Sequence, residues 1–205
     1  EVEVQQRKLG GWEASANHRE FFGQAAVDAT LSYRRGTGAF GSLEAPEEAF
    51  GEGTSRFAVV VADINVNAPF SVSGQKLRYI GTWRIQNNRT PLTPQDRFAI
   101  GGRFSVRGFD GAGSLSAERG WTVRNDIGMQ LGQTGQELYA GLDFGRVGGP
   151  SSADLIGKSL AGAVVGLRGS VKGLQYDAFV GAPVRKPDGF RTASRAVGFN
   201  VNYSF

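Results

Sequence analysis

The chain has 205 residues, a formal net charge of +4 and no cysteine, so a disulfide framework and cysteine-ligated metal sites are excluded. Its mean hydropathy of −0.25, without any run of about 18 consecutive apolar residues, excludes a membrane-spanning helix. Arginine and lysine are scattered among acidic residues, and the absence of a basic cluster argues against a nucleic-acid partner.

Apolar and polar residues alternate along nine segments, and this period of two predicts nine β-strands in antiparallel succession. In chain order the segments lie near residues 10–17, 25–34, 59–67, 77–88, 121–130, 138–145, 161–168, 174–181 and 196–205. The last segment is the clearest, and one of its faces is formed by Val197, Phe199, Val201, Tyr203 and Phe205. Small and polar residues form its other face, as in a membrane β-barrel strand whose apolar side meets lipid. The predicted fold class is therefore all-β.

The connections between these segments alternate between short and long. Short turns are expected near residues 17–20, 69–76, 131–137 and 171–173, and long loops at 36–55, 90–120, 146–158 and 184–194. Outer-membrane barrels have brief turns at one end and longer loops at the other, whereas nothing in a soluble β-sandwich requires this asymmetry. The pattern favours a barrel, and a soluble β-sandwich binding module stays open as an alternative.

Motifs with possible catalytic or ligand-binding chemistry do not meet the requirements of that chemistry. Residues 36–41 match the dinucleotide-binding fingerprint G-x-G-x-x-G. The fingerprint must be followed by a helix, and Pro46 and the acidic run here are incompatible with one. His18 is the single histidine, so neither a common zinc site nor a Ser-His-acid triad is available. Glu47 and Glu48 are expected to be a solvated pair. We therefore predict no enzyme activity, no metal and no cofactor.

The loop at 90–120 is the longest segment without a period of either kind, and it contains the run GGRFSVRGFD at residues 101–110. A loop of this length inside a compact domain is usually functional or disordered. Its own apolar residues favour a loop that packs.

Four sequence features at this point resemble a known family. They are the VRGF tetrapeptide at 106–109 in its GG-x-x-SVRGF context, the ERGW-x-x-RND run at 118–126, the LYAGLDFG segment at 138–145 and the aromatic terminus. Together they are similar to the two-partner secretion transporters, or TpsB proteins, which export filamentous haemagglutinins and haemolysins. The resemblance runs across essentially all 205 residues.

The resemblance implies a sixteen-stranded transmembrane barrel with a long loop folded into its lumen. Residues 1–205 would be the C-terminal part of this translocator domain, with the inward loop at about 90–120. No signal peptide opens the chain, and the family's plug helix, two periplasmic POTRA domains and first seven strands have no counterpart in it. We therefore expect the chain to be a piece of a longer protein.

The resemblance also assigns site residues. Val106, Arg107, Gly108 and Phe109 would form the lumen loop motif, and the loop of this family is pinned to an aspartate in the strand that contains Asp143. An arginine inside a barrel must be paired, which favours an Arg107–Asp143 salt bridge, with Asp126 as the second candidate partner. Two solvated lumen charges remain the alternative. Phe199, Val201, Tyr203 and Phe205 would form the terminus that targets the chain to the outer membrane.

The function implied is a passive conduit in the Gram-negative outer membrane. Its partners would be a secreted TpsA-like exoprotein, membrane lipid or lipopolysaccharide, and the missing POTRA domains and barrel strands. An assembly-factor-type insertase, which shares the VRGF loop but acts on barrel precursors, is a second possible function.

Overall fold

The computed structural model describes residues 7–204. Its strands are β1 (Gly10–Phe22), β2 (Ala25–Thr37), β3 (Ala58–Val72), β4 (Gln75–Asn88), β5 (Phe98–Ile100), β6 (Leu115–Ala117), β7 (Arg119–Gln130), β8 (Gln136–Gly148), β9 (Ser159–Val171), β10 (Leu174–Arg185) and β11 (Ala196–Tyr203). Short 3-10 helices span Pro46–Phe50, Pro94–Asp96 and Pro150–Asp154. Within residues 7–204, no helix has the length and apolarity needed to cross a membrane.

Nine strands form one antiparallel sheet in the order β1-β2-β3-β4-β7-β8-β9-β10-β11. Strands β5 and β6, inside the long segment between β4 and β7, form a separate two-stranded sheet among the described residues. The expectation of nine consecutive antiparallel strands is confirmed. The small β5–β6 hairpin is an addition, because two runs of three residues are too short to show a sequence period.

The strand register places the apolar rows of all nine strands on one face of the sheet. In β8, Leu138, Leu142 and Phe144 are exposed, whereas the alternating residues Tyr139 and Asp143 are buried. Leu142 pairs with Ala163 of β9, and the same-face pairing continues to Val197 and Phe199 of β11. The β5–β6 hairpin packs against the opposite face, so within residues 7–204 no second sheet covers the apolar one. A β-sandwich would need that cover.

The connections divide into two sets of unequal length. Two-residue turns join β1 to β2, β3 to β4 and β9 to β10, and a five-residue turn joins β7 to β8; the long loops span 38–57, 89–118, 149–158 and 186–195. In the Ser73-Gly74 and Lys172-Gly173 turns both central residues have positive φ, as type I′ hairpins require. The predicted asymmetry of the two ends is confirmed.

One predicted turn was wrong in position, and another was predicted too long. The turn expected at 17–20 lies inside β1, which continues to Phe22, and the turn follows at Gly23. The polar residues there indicated a turn, but they have cross-strand partners: Thr30 donates to Asn17 at 2.7 Å, and Arg19 bonds Asp28. The turn expected at 69–76 shrinks to residues 73 and 74, because β3 and β4 pair almost to their tips.

Asn125 interrupts the apolar row of β7 but makes two hydrogen bonds there. The Tyr79 hydroxyl donates to Asn125 Oδ1 at 2.7 Å, and Asn125 Nδ2 donates to the Leu142 carbonyl at 3.1 Å. Gly81, opposite Asn125 on β4, leaves room for the Tyr79 ring to reach it. A polar side chain on an apolar face is tolerated when its hydrogen bonds are made within the protein.

We therefore expect Tyr79→Phe to lower the free energy of unfolding by about 1 kcal/mol, because it leaves Asn125 Oδ1 without a donor. Urea unfolding of the full-length protein in lipid vesicles measures this. Tyr176→Phe is the control, since no hydrogen bond is seen for the Tyr176 hydroxyl among the described residues. Adding Asn125→Leu to Tyr79→Phe should recover stability, and a double variant weaker than Tyr79→Phe would contradict the explanation.

Candidate functional site

The segment between β4 and β7 folds back onto the polar face of the sheet as a packed loop. Strands β5 and β6 form its stem, and residues 101–114 form its tip. Its core is a single apolar cluster of buried side chains: Phe98, Ile100, Val106, Phe109, Leu115 and Ala117 from the loop, Val147 from β8, Leu160 from β9 and Phe190 from the loop after β10. Burial of these residues explains how a segment without sequence period keeps one conformation.

Arg107 is held at the tip of this loop by two carboxylates of the sheet. Its side chain is 2% exposed, and that of Asp143 is 0% exposed. Arg107 Nε donates to Asp143 Oδ2 and Nη2 to Asp143 Oδ1, both at 2.7 Å, and the Arg107 backbone N–H donates to Oδ2 at 2.8 Å. Arg107 Nη2 also donates to Asp126 Oδ1 at 2.5 Å, and Nη1 to Oδ2 at 3.3 Å. Sequence reasoning offered Asp143 and Asp126 as alternatives, whereas the guanidinium contacts both.

The electrostatics of the site favour a permanently charged arginine. Burial lowers the pKa of Arg107, but the hydrogen bonds and charges of Asp143 and Asp126 outweigh it and raise that pKa above its ordinary value. A planar fork with five N–H donors satisfies two carboxylates at once, which a lysine ammonium cannot do with the same geometry. The loop tip is therefore fixed both by the charge of Arg107 and by the geometry of its hydrogen bonds.

The ion pairs continue along the sheet beyond Asp126. Arg168 Nη1 of β9 donates to Asp126 Oδ2 at 3.1 Å, and Arg168 Nε donates to Glu137 Oε1 at 2.7 Å. Arg78 Nε of β4 donates to Glu137 Oε2 at 2.7 Å. A chain of alternating charges thus links the loop tip to the short-turn end of the sheet. Sequence reasoning missed Arg168 and Arg78, which lie on polar faces of predicted strands, and Glu137, which was expected in the turn at 131–137 but lies in β8.

Glycines on neighbouring strands make the close approach of the loop possible. Gly145 of β8 faces Val106, whose Cγ2 would lie 2.8 Å from an added Cβ. Gly162 of β9 faces the Arg107 carbonyl oxygen so closely that any Cβ there would overlap it. Gly108 has φ +97°, and a Cβ on it would lie 2.5 Å from the Ala182 carbonyl oxygen. The loop backbone therefore rests directly on the backbone of β9 and β10.

The remaining predicted residues fall in two places. Val106 and Phe109 are buried in the apolar cluster, on either side of the Arg107 ion pairs. Phe199, Val201 and Tyr203 lie exposed on the outer row of β11, and Phe205 lies outside the described residues. Within residues 7–204, no group of three His, Asp or Glu side chains is arranged to hold a metal.

Comparison with known proteins identifies the family of a chain with this sheet and loop. The model of the haemolysin secretion/activation protein family ShlB/FhaC/HecB matches residues 1–169. The chain belongs to this family. Members of the ShlB/FhaC/HecB family are two-partner secretion transporters, so the resemblance stated from the sequence is confirmed.

Individual relatives cover nearly all of this ShlB/FhaC/HecB family chain. It is 42% identical over 197 residues to the outer membrane transporter CdiB-2 of Burkholderia pseudomallei (strain 1026b), covering 94% of this chain and 34% of that protein. It is 25% identical over 203 residues to the outer membrane transporter CdiB of Dickeya dadantii (strain 3937), covering 97% and 36%. The chain thus spans about a third of the length of these relatives.

Solved structures show the same architecture. CdiB from Acinetobacter baumannii superposes with a TM-score of 0.85 at 33% identity, covering all of this chain and 35% of that one. CdiB from Escherichia coli superposes with a TM-score of 0.80 at 22% identity, covering 95% and 36%, and shows the fold alone. The nine-stranded sheet of this ShlB/FhaC/HecB family chain therefore matches part of a β-barrel of this class.

Proposed function

We propose that this chain is the C-terminal part of an outer-membrane barrel that translocates a secreted exoprotein, with its VRGF loop anchored in the lumen by Arg107. The apolar face of the sheet meets lipid, the polar face lines the lumen, and the long loops lie outside the cell. The remaining barrel strands and periplasmic domains are supplied by the rest of a longer protein, about three times the length of this chain if it matches its relatives.

The observation that carries the proposal is the burial of Arg107 between Asp143 and Asp126 on the polar face, opposite a continuous apolar face. Removal of the Arg107 side chain would break all of its hydrogen bonds to these two buried carboxylates, so we infer that the arginine fixes the position of the loop. It fastens a 30-residue loop to the wall of a channel that is otherwise lined by hydrogen-bonding side chains. Such a channel suits an extended polypeptide.

An assembly-factor-type insertase is the second candidate, because it shares the VRGF loop. The two functions differ in client: an insertase acts on barrel precursors at its seam, and a transporter passes an exoprotein through its lumen. The relatives named as outer membrane transporters favour export.

Deletion of the full-length gene and complementation with it test the proposal. We expect the exoprotein encoded beside it to disappear from the culture medium on deletion and to return on complementation, while the levels of other outer-membrane barrels stay unchanged. Unchanged exoprotein in the medium of the deletion strain would refute export. A general fall in other barrels would support the insertase instead.

A further inference from the structure

Asp110, the residue directly after the VRGF motif, contacts a different part of the protein from Arg107. Its Oδ2 accepts the backbone N–H of Ala193 at 2.8 Å, and its Oδ1 accepts the Thr192 hydroxyl at 3.1 Å. Oδ1 also accepts the backbone N–H of Ala112 at 3.0 Å, and the Asp110 N–H donates to Thr192 Oγ1 at 3.4 Å. Thr192 and Ala193 belong to the long loop at 186–195 and lie 82 and 83 residues after Asp110 in the chain. Asp110 therefore links two loops that are distant in sequence.

The same two loops are in contact on both sides of Asp110. Phe109 packs edge-to-face on Phe190, with ring centroids 5.7 Å apart, and both rings are buried. Gly113 approaches the Arg191 carbonyl oxygen so closely that an added Cβ would lie 2.8 Å from it. Lys186 Nζ donates to the Phe190 carbonyl at 2.7 Å, which closes the loop at 186–195 on itself. The loop at 186–195, called the surface loop below, is therefore compact and packs on residues 101–114, the tip of the VRGF loop.

The ionised form of Asp110 is the one that suits this contact. The N–H groups of Ala193 and Ala112 hold the pKa of Asp110 below its ordinary value. An ionised carboxylate accepts all three donors, and hydrogen bonds to an ionised acceptor are stronger than neutral ones.

A second carboxylate at the other end of the lumen loop makes the corresponding contact with the neighbouring long loop. Glu118, 3% exposed, accepts the Ser151 backbone N–H at 3.3 Å from the loop at 149–158. Gly157 of that loop lies directly against Pro187 of the loop at 186–195. The two long loops thus pack on each other, and a carboxylate of the lumen loop holds each of them.

From these contacts we propose that Asp110 is a positioning residue that fastens the surface loop at 186–195 to the VRGF loop, so that the two loops hold one arrangement at the outer mouth of the channel. The inference rests on the proposed export function for its biological meaning, but the contact itself is tested separately. Arg107 fixes the lumen loop to the wall, and Asp110 fixes the surface loop to the lumen loop.

Trypsin added to intact cells that produce the full-length protein reports the position of the surface loop, because Arg191 is an exposed cleavage site next to Thr192. Asp110→Ala should speed cleavage after Arg191 by about three- to tenfold, since the loop opens more often when its hydrogen bonds are lost. Asp110→Asn should give an intermediate rate, because an amide oxygen still accepts the Ala193 N–H. Thr192→Val should speed cleavage less than Asp110→Ala, and combining the two should add little, because both remove one contact.

Asp188→Ala is the matched control, since Asp188 is an exposed carboxylate of the same loop without a hydrogen bond or ion pair among the described residues. It should leave the cleavage rate unchanged. Cleavage that is equally slow in Asp110→Ala and wild type would overturn the inference, as would additive effects of Asp110→Ala and Thr192→Val. Export measured in parallel separates the two ideas: exoprotein that still reaches the medium of the deletion strain would contradict the proposed export function, whereas unchanged cleavage in Asp110→Ala would contradict only the fastening of the surface loop.

Discussion

Export by a full-length transporter that carries Arg107→Ala should fall to near zero, while the amount of assembled barrel stays close to that of the wild type. Removing one partner of a buried ion pair costs about 3–5 kcal/mol, enough to release the loop from the wall in most molecules. The carboxylates left behind keep other arginines: Arg168 bonds Asp126 at 3.1 Å, and Arg124 lies 3.8 Å from Asp143. Because these arginines offset part of the uncompensated charge, we expect the sheet to persist when the loop detaches. Exoprotein in the medium and heat-modifiable migration of the transporter measure the two effects.

Two further substitutions show whether the positive charge of Arg107 or the geometry of its hydrogen bonds anchors the loop. Arg103→Ala is the matched control, since Arg103 is exposed on the same loop tip and stacks 4.5 Å from the Phe104 ring, without an ion pair among the described residues. It should export normally. Arg107→Lys keeps the charge but loses the fork, so we expect export much closer to that of Arg107→Ala than to that of the wild type. Undiminished export by Arg107→Ala would contradict the role of the anchor.

The two carboxylates should also rank in a definite order. Asp143 receives three hydrogen bonds from Arg107 and is completely buried, whereas Asp126 shares its charge between Arg107 and Arg168. Asp143→Asn should therefore reduce export more than Asp126→Asn. Equal losses would indicate that the loop is held by the total charge of the wall rather than by the bidentate contact.

Much of the fold could be predicted because the sheet repeats one simple rule along the chain. In β8 the alternation of Leu138, Leu142 and Phe144 with Tyr139 and Asp143 indicates both the strand and its two faces. The family resemblance also predicted that Arg107 is paired and which strand contains its partner. A sequence period, however, identifies a face without identifying the neighbour opposite each residue.

What could not be predicted depends on the register between strands. Arg168 and Asp126 bond across non-adjacent strands, β9 and β7, and the space for this contact depends on Gly141, which lies opposite Asp126 on β8 and has no side chain. In the sequence, Gly162 is only a small residue between two alanines. Its contact with the Arg107 carbonyl becomes evident only from the strand register, which places Asp143 opposite it. The turn expected at 17–20 failed for a related reason, because cross-strand partners stabilised polar residues that have a weak preference for strands.

Gly162→Val should abolish export as completely as loss of the arginine, although it changes no charge. A side chain at this position would overlap the Arg107 carbonyl oxygen, and the loop or the strand must move to make room. Overpacking of this kind costs about 1–3 kcal/mol, and here the strained atoms belong to the residue that carries the anchor. Gly162→Ala should show a smaller loss in the same direction.

Ala163→Val is the matched control, because Ala163 is the next residue of β9 and pairs with Leu142 on the apolar face. The substitution adds methyl groups on the side of β9 that faces away from the loop, so the variant should export normally. If Gly162→Val acts by displacing Arg107, then combining it with Arg107→Ala should add little to the loss of stability measured by urea unfolding in vesicles, since the displaced contact is already absent. Additive losses of stability would indicate that Gly162→Val destabilises β9 itself, and would contradict the role of Gly162 in the contact with the loop.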